Sequence, residues 1–371
     1  MDFNLSIPAK VLSGKNVIKN NSSLFKTFGK ACLIVSGGKS AALSGALGDI
    51  EEVLEENEIT YQVYDKIGPN PLVSSCHEAG KIAREMNADF IIGIGGGSPL
   101  DAAKAAAVYA ANPTLEPTDI FTFKREKVLP FVLVGTTSGT GSEVGRVSVL
   151  TNDETGRKKS ISGDDLYPVF TFADSKYTCS MPYGVTVSTA LDALCHAVEG
   201  YYSSKCGDIP TMFAERAIPL IWNGLCELNA SKKIPDENLR EQLYYGSLYA
   251  GITLAYCGTA FPHPLGYILT EEYSVAHGTA CAAFLPALME RGEKFEKAKT
   301  DRLMKVMGTD LKSFCGIICK LTDYGEISMK KDEIDKYCSR WDAGIPNNFI
   351  FSPGGFTKED AKEVLSELFC K

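Results

Sequence analysis

Residues 31–36, Ala-Cys-Leu-Ile-Val-Ser, are almost wholly apolar, do not alternate with polar positions, and run into Gly37-Gly38. That is the pattern of a strand buried on both faces. Residues 61–64, 89–94 and 131–134 repeat it, while residues 47–56, 74–86 and 101–111 carry helical spacing between them. Such alternation predicts a parallel sheet covered by helices, a nucleotide-binding architecture in the broad sense. From about Val185 the strand signals stop, and helical periods follow at 185–203, 210–230, 237–257, 275–289, 295–307, 310–324, 331–340 and 357–369. Breaks at Gly, Pro and Asn separate them. The expectation is an α/β N-terminal domain (1–183) and an all-α C-terminal domain (184–371), meeting near Pro182-Tyr183-Gly184. No internal repeat or low-complexity linker interrupts either half.

Composition narrows the function. A chain of 371 residues with 44% hydrophobic and 23% charged residues is an ordinary globular protein with room for two cores. Its net charge of -8 leaves no basic surplus for neutralising nucleic-acid phosphates. No apolar run approaches the roughly 20 residues that span a bilayer. Met1-Asp2-Phe3-Asn4 has neither the basic region nor the apolar stretch of a signal peptide. The twelve cysteines include no CxxC pair and are expected to be reduced packing residues, in a cytoplasmic protein.

Two glycine-rich segments follow strands. Gly95-Gly96-Gly97-Ser98-Pro99-Leu100-Asp101 leads from a strand into an alanine-rich helix. Glycines allow close approach of a ligand, and the amides of the new helix turn face an anion such as a pyrophosphate. The segment is not GxGxxG, so a tight turn capped by Ser98 explains it equally well. Thr136-Thr137-Ser138-Gly139-Thr140-Gly141-Ser142-Glu143 also follows a strand, with many hydroxyls and little bulk. Two such loops at neighbouring strand ends fit the rule that ligands bind beyond the carboxyl edge of a parallel sheet.

The chain holds only four histidines. His77 stands alone and is expected to be an ordinary helix residue. His196 follows Asp192 by four positions, so a helix puts both on one face. His263 lies between Pro262 and Pro264, and His277 opens an apolar helix. Singly, each is explained as a surface pair, a capping residue or a core residue. Jointly, three imidazoles and a carboxylate suit a divalent cation such as Fe(II), Zn(II), Co(II) or Ni(II).

Taken in order, these segments resemble the iron-containing (group III) alcohol dehydrogenases over nearly the whole chain. Residues 95–104 are similar to that family's GGGSxxDxAK turn, residues 136–143 to its TTxGTGSE segment, and residues 191–199 to its LDALxHAxE helix. The resemblance implies a dehydroquinate-synthase-like architecture with Asp192, His196, His263 and His277 as metal ligands. It also implies cofactor contacts from Gly95, Gly96, Gly97, Ser98, Asp101, Thr136, Thr137, Ser142 and Lys159. The expected activity is reversible hydride transfer between NAD(P)H and a short-chain aldehyde, giving a primary alcohol. Fe(II), with Zn(II) or another divalent ion as substitute, would act as Lewis acid.

Two departures shape the expectation. Relatives often carry a histidine four residues after the third ligand; here Tyr267 stands there as the candidate proton relay. Relatives that prefer NAD often carry an aspartate after the second strand; here the stretch is Ser36-Gly37-Gly38-Lys39-Ser40. Gly37 would leave room for a 2′-phosphate and Lys39 or Ser40 would hold it, so NADPH preference is expected. A homodimer is expected too, with Asp2 to Ile7 as a strand able to pair across subunits. The alternatives are a polyol dehydrogenase acting on glycerol, 1,2-propanediol or 1,3-propanediol, a cyclase resembling dehydroquinate synthase, and a nucleotide-binding scaffold without turnover. The cyclase would want basic residues near the histidines, which are few, and a scaffold would have no need of four ligands.

Overall fold

The computed structural model describes residues 6–323 and 325–370, which cluster into two compact units. One comprises residues 6–181 with Asp236–Tyr244; the other comprises Pro182–Pro235 and residues 245–370.

The first unit is built on strands β1 (Lys10–Ser13), β2 (Ala31–Ser36), β3 (Thr60–Tyr64), β4 (Phe90–Gly95), β5 (Phe131–Gly135) and β8 (Phe170–Ala173). They form one parallel sheet in the order β1-β8-β5-β4-β2-β3. The missing alternation in the sequence has a direct cause. Leu33, Val35, Ile91 and Leu133 bury against helices Val73–Glu85 and Gly97–Ala111 on one face. Their neighbours Cys32, Ile34, Ile92 and Val134 bury against Ala46–Glu56 on the other. Each such burial is worth about 1.5–3 kcal/mol, so both faces are held. The order reverses between β2 and β4, and ligands of open parallel sheets bind at such switch points. A separate antiparallel ribbon pairs β6 (Val147–Thr151) with β7 (Lys158–Ser162).

Four of these strands escape the sequence reading. β1 and β8 span four residues each, too short for a period to register, and β6 and β7 carry mixed polar residues. Of the strand expected from Asp2 to Ile7, residues 2–5 lie outside the described residues.

The second unit is helical throughout its described residues, as expected from the absence of strand signals. Two corrections concern its boundaries. The single helix expected over 275–289 is two, His277–Ala282 and Leu285–Phe295, because Pro286 cannot donate to the preceding turn. The stretch around His263, expected to be fixed by its prolines, is the helix Pro262–Tyr273. Both prolines sit in the first turn, where a missing N–H costs nothing. A third correction concerns cysteine: Cys206 and Cys257 form a disulfide, across a separation of 51 residues that carries no signal in the sequence. Among the described residues no helix is long and apolar enough to cross a membrane.

Candidate functional site

Three helices of the second unit bring four side chains to one point. Helix Tyr183–Tyr202 buries Asp192, His196 and Glu199, which recur at helical spacing on one face. Helix Pro262–Tyr273 brings His263, and helix His277–Ala282 brings His277. The Nε2 atoms of His196, His263 and His277 lie 3.7, 3.8 and 3.8 Å from Oδ1 of Asp192. Four donors arranged tetrahedrally at typical bond lengths around one ion stand about 3.4–3.8 Å apart, so this spacing fits a divalent cation. Asp192, His196 and His263 are nearly excluded from solvent, whereas the His277 side chain keeps 30% of its exposure. The cluster is therefore open on one side, as a catalytic rather than a sealed structural site requires.

Close packing makes the convergence possible. A Cβ on Gly278 would fall 1.8 Å from the Ser188 carbonyl oxygen and 2.8 Å from Cβ of Asp192. Only glycine at that position lets helix His277–Ala282 approach the helix bearing Asp192.

Glu199 completes the cluster, although it is absent from the residues selected by resemblance. Its Oε1 accepts a hydrogen bond from Nδ1 of His263 at 2.7 Å, and its Oε2 accepts from the Ala260 N–H at 2.7 Å. The Nδ1 proton so held leaves the Nε2 lone pair facing Asp192 and the other imidazoles, the usual outer partner of a metal-binding histidine. Burial pushes the Glu199 carboxyl up, and the charge and hydrogen bond of His263 pull it back. The sequence signal was its position, one turn beyond His196. Tyr267 stacks on His277 with ring centroids 5.6 Å apart, and burial drives its phenol far above the ordinary tyrosine range. His77 lies apart, edge-on to Tyr109 at 5.1 Å.

The first unit gathers the glycine-rich turns at the switch point. Gly95 has φ +151°, which only glycine adopts readily, and the chain then enters helix Gly97–Ala111. Gly96 and Gly97 lie against Thr137 and Thr140, so the two loops nest. Gly37 abuts Pro99, which brings the turn after β2 to the same place. Ser40 donates to the Gly37 carbonyl at 2.9 Å, and Lys39 is exposed. Thr136 is buried, and its N–H donates to the Gly95 carbonyl at 2.9 Å. Ser98 accepts from the Asn70 N–H at 3.1 Å. Lys159 lies on β7 with its ammonium 5.5 Å from the Phe121 ring centroid.

Asp101 and Ser142 are engaged with each other and with residues the sequence reading left aside. Ser142 Oγ donates to Asp101 Oδ1 at 2.6 Å, and the Val149 N–H donates to Oδ2 at 3.0 Å. Lys104, fully buried, donates to Ser142 O, Ser142 Oγ and Val147 O, each at 2.8 Å. Burial lowers the Lys104 ammonium to about 8, against the pull of Asp101 and Glu143. Burial likewise raises the Glu143 carboxyl to about 7, with Lys104 opposing. Oε1 of Glu143 meets no hydrogen-bond donor among the described residues and faces Gly135, where a Cβ would stand 2.8 Å away. Spacing was the available signal for Lys104, three residues past Asp101 on one helix.

Residues 8–175 match the family model for iron-containing alcohol dehydrogenase, and residues 186–335 match the model for the C-terminal region of the same family. The chain belongs to the iron-containing alcohol dehydrogenase family. Among similar members, a long-chain primary alcohol dehydrogenase of Thermoanaerobacter ethanolicus is 35% identical over 266 residues. That match spans 70% of this chain and 65% of the relative's length. An NADH-dependent butanol dehydrogenase of Clostridium acetobutylicum is 32% identical over 299 residues, 78% of this chain and 75% of that one. The crystal structure of an iron-containing alcohol dehydrogenase from Thermotoga maritima superposes with a TM-score of 0.90 at 32% identity, covering 99% of each chain. The fold expected from the motifs is thus the family's.

Proposed function

We propose that the protein is a metal-dependent alcohol dehydrogenase that interconverts short-chain aldehydes and primary alcohols, with NADPH preferred over NADH. The observation that carries this reading is the convergence of three imidazole Nε2 atoms on Asp192 Oδ1 at 3.7–3.8 Å. Asp192, His196, His263 and His277 would hold Fe(II), or Zn(II) in its place. A cation there supplies Lewis acidity for an aldehyde oxygen, and a nicotinamide supplies or accepts the hydride.

The chain's own groups do the positioning. Glu199 keeps the proton of His263 on Nδ1, so that Nε2 stays a donor. The nested turns Gly95–Ser98 and Thr136–Ser142 offer helix-start amides and hydroxyls to a pyrophosphate and the nicotinamide side. Tyr267, its phenol raised by burial, would serve a proton as an intact hydroxyl rather than as a phenolate. The C. acetobutylicum relative is named for NADH. NADPH preference here rests on this chain's Gly37, Lys39 and Ser40, which offer a cation, a hydroxyl and no acid to a 2′-phosphate.

Steady NADPH oxidation on adding butanal to anaerobically prepared, iron-loaded enzyme tests the activity. His263→Ala should lose the metal and nearly all turnover while NADPH binding stays close to wild type. Wild-type turnover by a verified metal-free His263→Ala protein would refute the Lewis-acid role. A higher kcat/KM with NADH than with NADPH would refute the cofactor preference.

A further inference from the structure

Helix His277–Ala282 presents a second metal-binding atom. Cys281, one turn after His277, is buried, with Sγ 3.6 Å from Nδ1 and 3.8 Å from Nε2 of that histidine. Donor atoms of Asp192, His263, His277 and Cys281 all lie within 4.8 Å of one another. Packing from the facing helix holds the sulfur there: a Cβ on Gly266 would stand 2.7 Å from Sγ and 2.8 Å from the Cys281 Cα. Cys195, also buried and within reach of the charges of Asp192 and Glu199, is not among these grouped donors. Cys32 and Cys76 sit in the apolar cores of the sheet, where burial drives both thiols up, with the charges of Asp101 and Asp153 adding to it at Cys76.

We propose that Cys281 is a further ligand of the cation held by Asp192, His196, His263 and His277, and that its sulfur biases the centre from Fe(II) toward Zn(II). The inference rests on the reading that a divalent ion occupies this centre. Soft thiolates favour Zn(II), whereas a carboxylate and imidazoles alone discriminate less. Coordination forms a metal–sulfur bond and releases the thiol proton to solvent, with no change in oxidation state. Sγ lies almost equally far from the two ring nitrogens of His277, 3.6 Å from Nδ1 and 3.8 Å from Nε2, so ligating an ion on Nε2 turns the Cys281 side chain toward that nitrogen.

Cobalt(II) separates the two readings. Metal-free full-length protein loaded with Co(II) should show visible d–d bands, which report ligation at the centre, and a near-ultraviolet sulfur-to-cobalt charge-transfer band, which reports the thiolate. Cys281→Ser should keep the visible bands, which also shows that it folds, and should lose the charge-transfer band. Cys195→Ser, altering the buried thiol beside His196, should keep both. In competition, the preference of Cys281→Ser for Zn(II) over Fe(II) should fall about tenfold or more. Visible bands without a charge-transfer band, or a charge-transfer band that survives in Cys281→Ser, would overturn the sulfur ligand and leave the metal centre standing. Absence of visible bands in the wild type would overturn both.

Discussion

Glu199→Gln tests the metal centre without touching any of its four proposed ligands. The carboxylate accepts two hydrogen bonds at 2.7 Å, from His263 Nδ1 and from the Ala260 N–H, inside a fully buried site. An amide has one acceptor oxygen and one donor group, so it can satisfy only one of these two partners. If its oxygen faces His263, the NH2 meets the Ala260 N–H, and the buried donor pair costs about 1–3 kcal/mol of folding stability. If its NH2 faces His263, Nδ1 must become the acceptor and the ring proton moves to Nε2, the atom that should face the metal. Loss of such an outer partner typically weakens metal binding 10–100-fold. The two orientations are told apart by measurement: Zn(II) affinity from chelator competition, and thermal unfolding of the metal-free protein. A drop in affinity with unchanged apo stability means tautomer loss; the reverse means a donor clash. Metal affinity within threefold of wild type together with an unchanged apo melting temperature would refute the role given to Glu199.

The remaining expectations concern other points of the two units. Gly278→Ala drives a Cβ into the Ser188 carbonyl at 1.8 Å, so it should lower the melting temperature and the metal content together; wild-type metal stoichiometry would refute the close-packing argument. Lys104→Met removes three hydrogen bonds to residues 142 and 147 and should raise the NADP(H) Kd about tenfold with metal content unchanged, read by fluorescence titration and elemental analysis. Glu143 is raised from 4.5 to about 7, so the folded state holds its proton longer than the unfolded chain does. Its contribution to stability is full below pH 4.5 and is lost as pH rises to about 7, a change of at most about 3 kcal/mol. Glu143→Gln should lack that slope in urea unfolding across the same range, and parallel curves for the two proteins would refute it.

What the sequence could reveal depended on how far apart the cooperating residues lie. The sheet was legible because β2, β4 and β5 are buried on both faces, and double burial leaves an apolar run visible in one dimension. Asp192 and His196 could be paired because a helix brings residues four apart to one face. Joining them to His263 and His277 rested on the scarcity of histidine, four in the chain, with the family's spacing in support, since capping or core packing accounts for either histidine taken alone. Glu199 was visible in the motif but not its task, because the partner that defines it is 64 residues away. The helix Pro262–Tyr273 was hidden by its own prolines, which signal a break in the interior and a start in the first turn. Cys281 was hidden among twelve cysteines whose common reading was apolar packing.

Asp101 shows how a recognised motif residue can carry a structural role beside the one its position suggests. The resemblance puts it beside the pyrophosphate and ribose. Both of its oxygens, however, already accept hydrogen bonds, from Ser142 Oγ and from the Val149 N–H, and Lys104 stands 3.8 Å away. A ribose hydroxyl would have to share these acceptors or displace a partner inside a buried network, where an orphaned donor costs about 1–3 kcal/mol. Three residues apart on helix Gly97–Ala111, Asp101 and Lys104 clamp residues 142–149 to the helix that begins at the glycine turn. The helix start that offers amides in the proposed phosphate site thus also carries the clamp that holds the neighbouring hydroxyl-rich loop beside it. The proposed preference for NADPH rests on the turn after β2, where Lys39 is exposed.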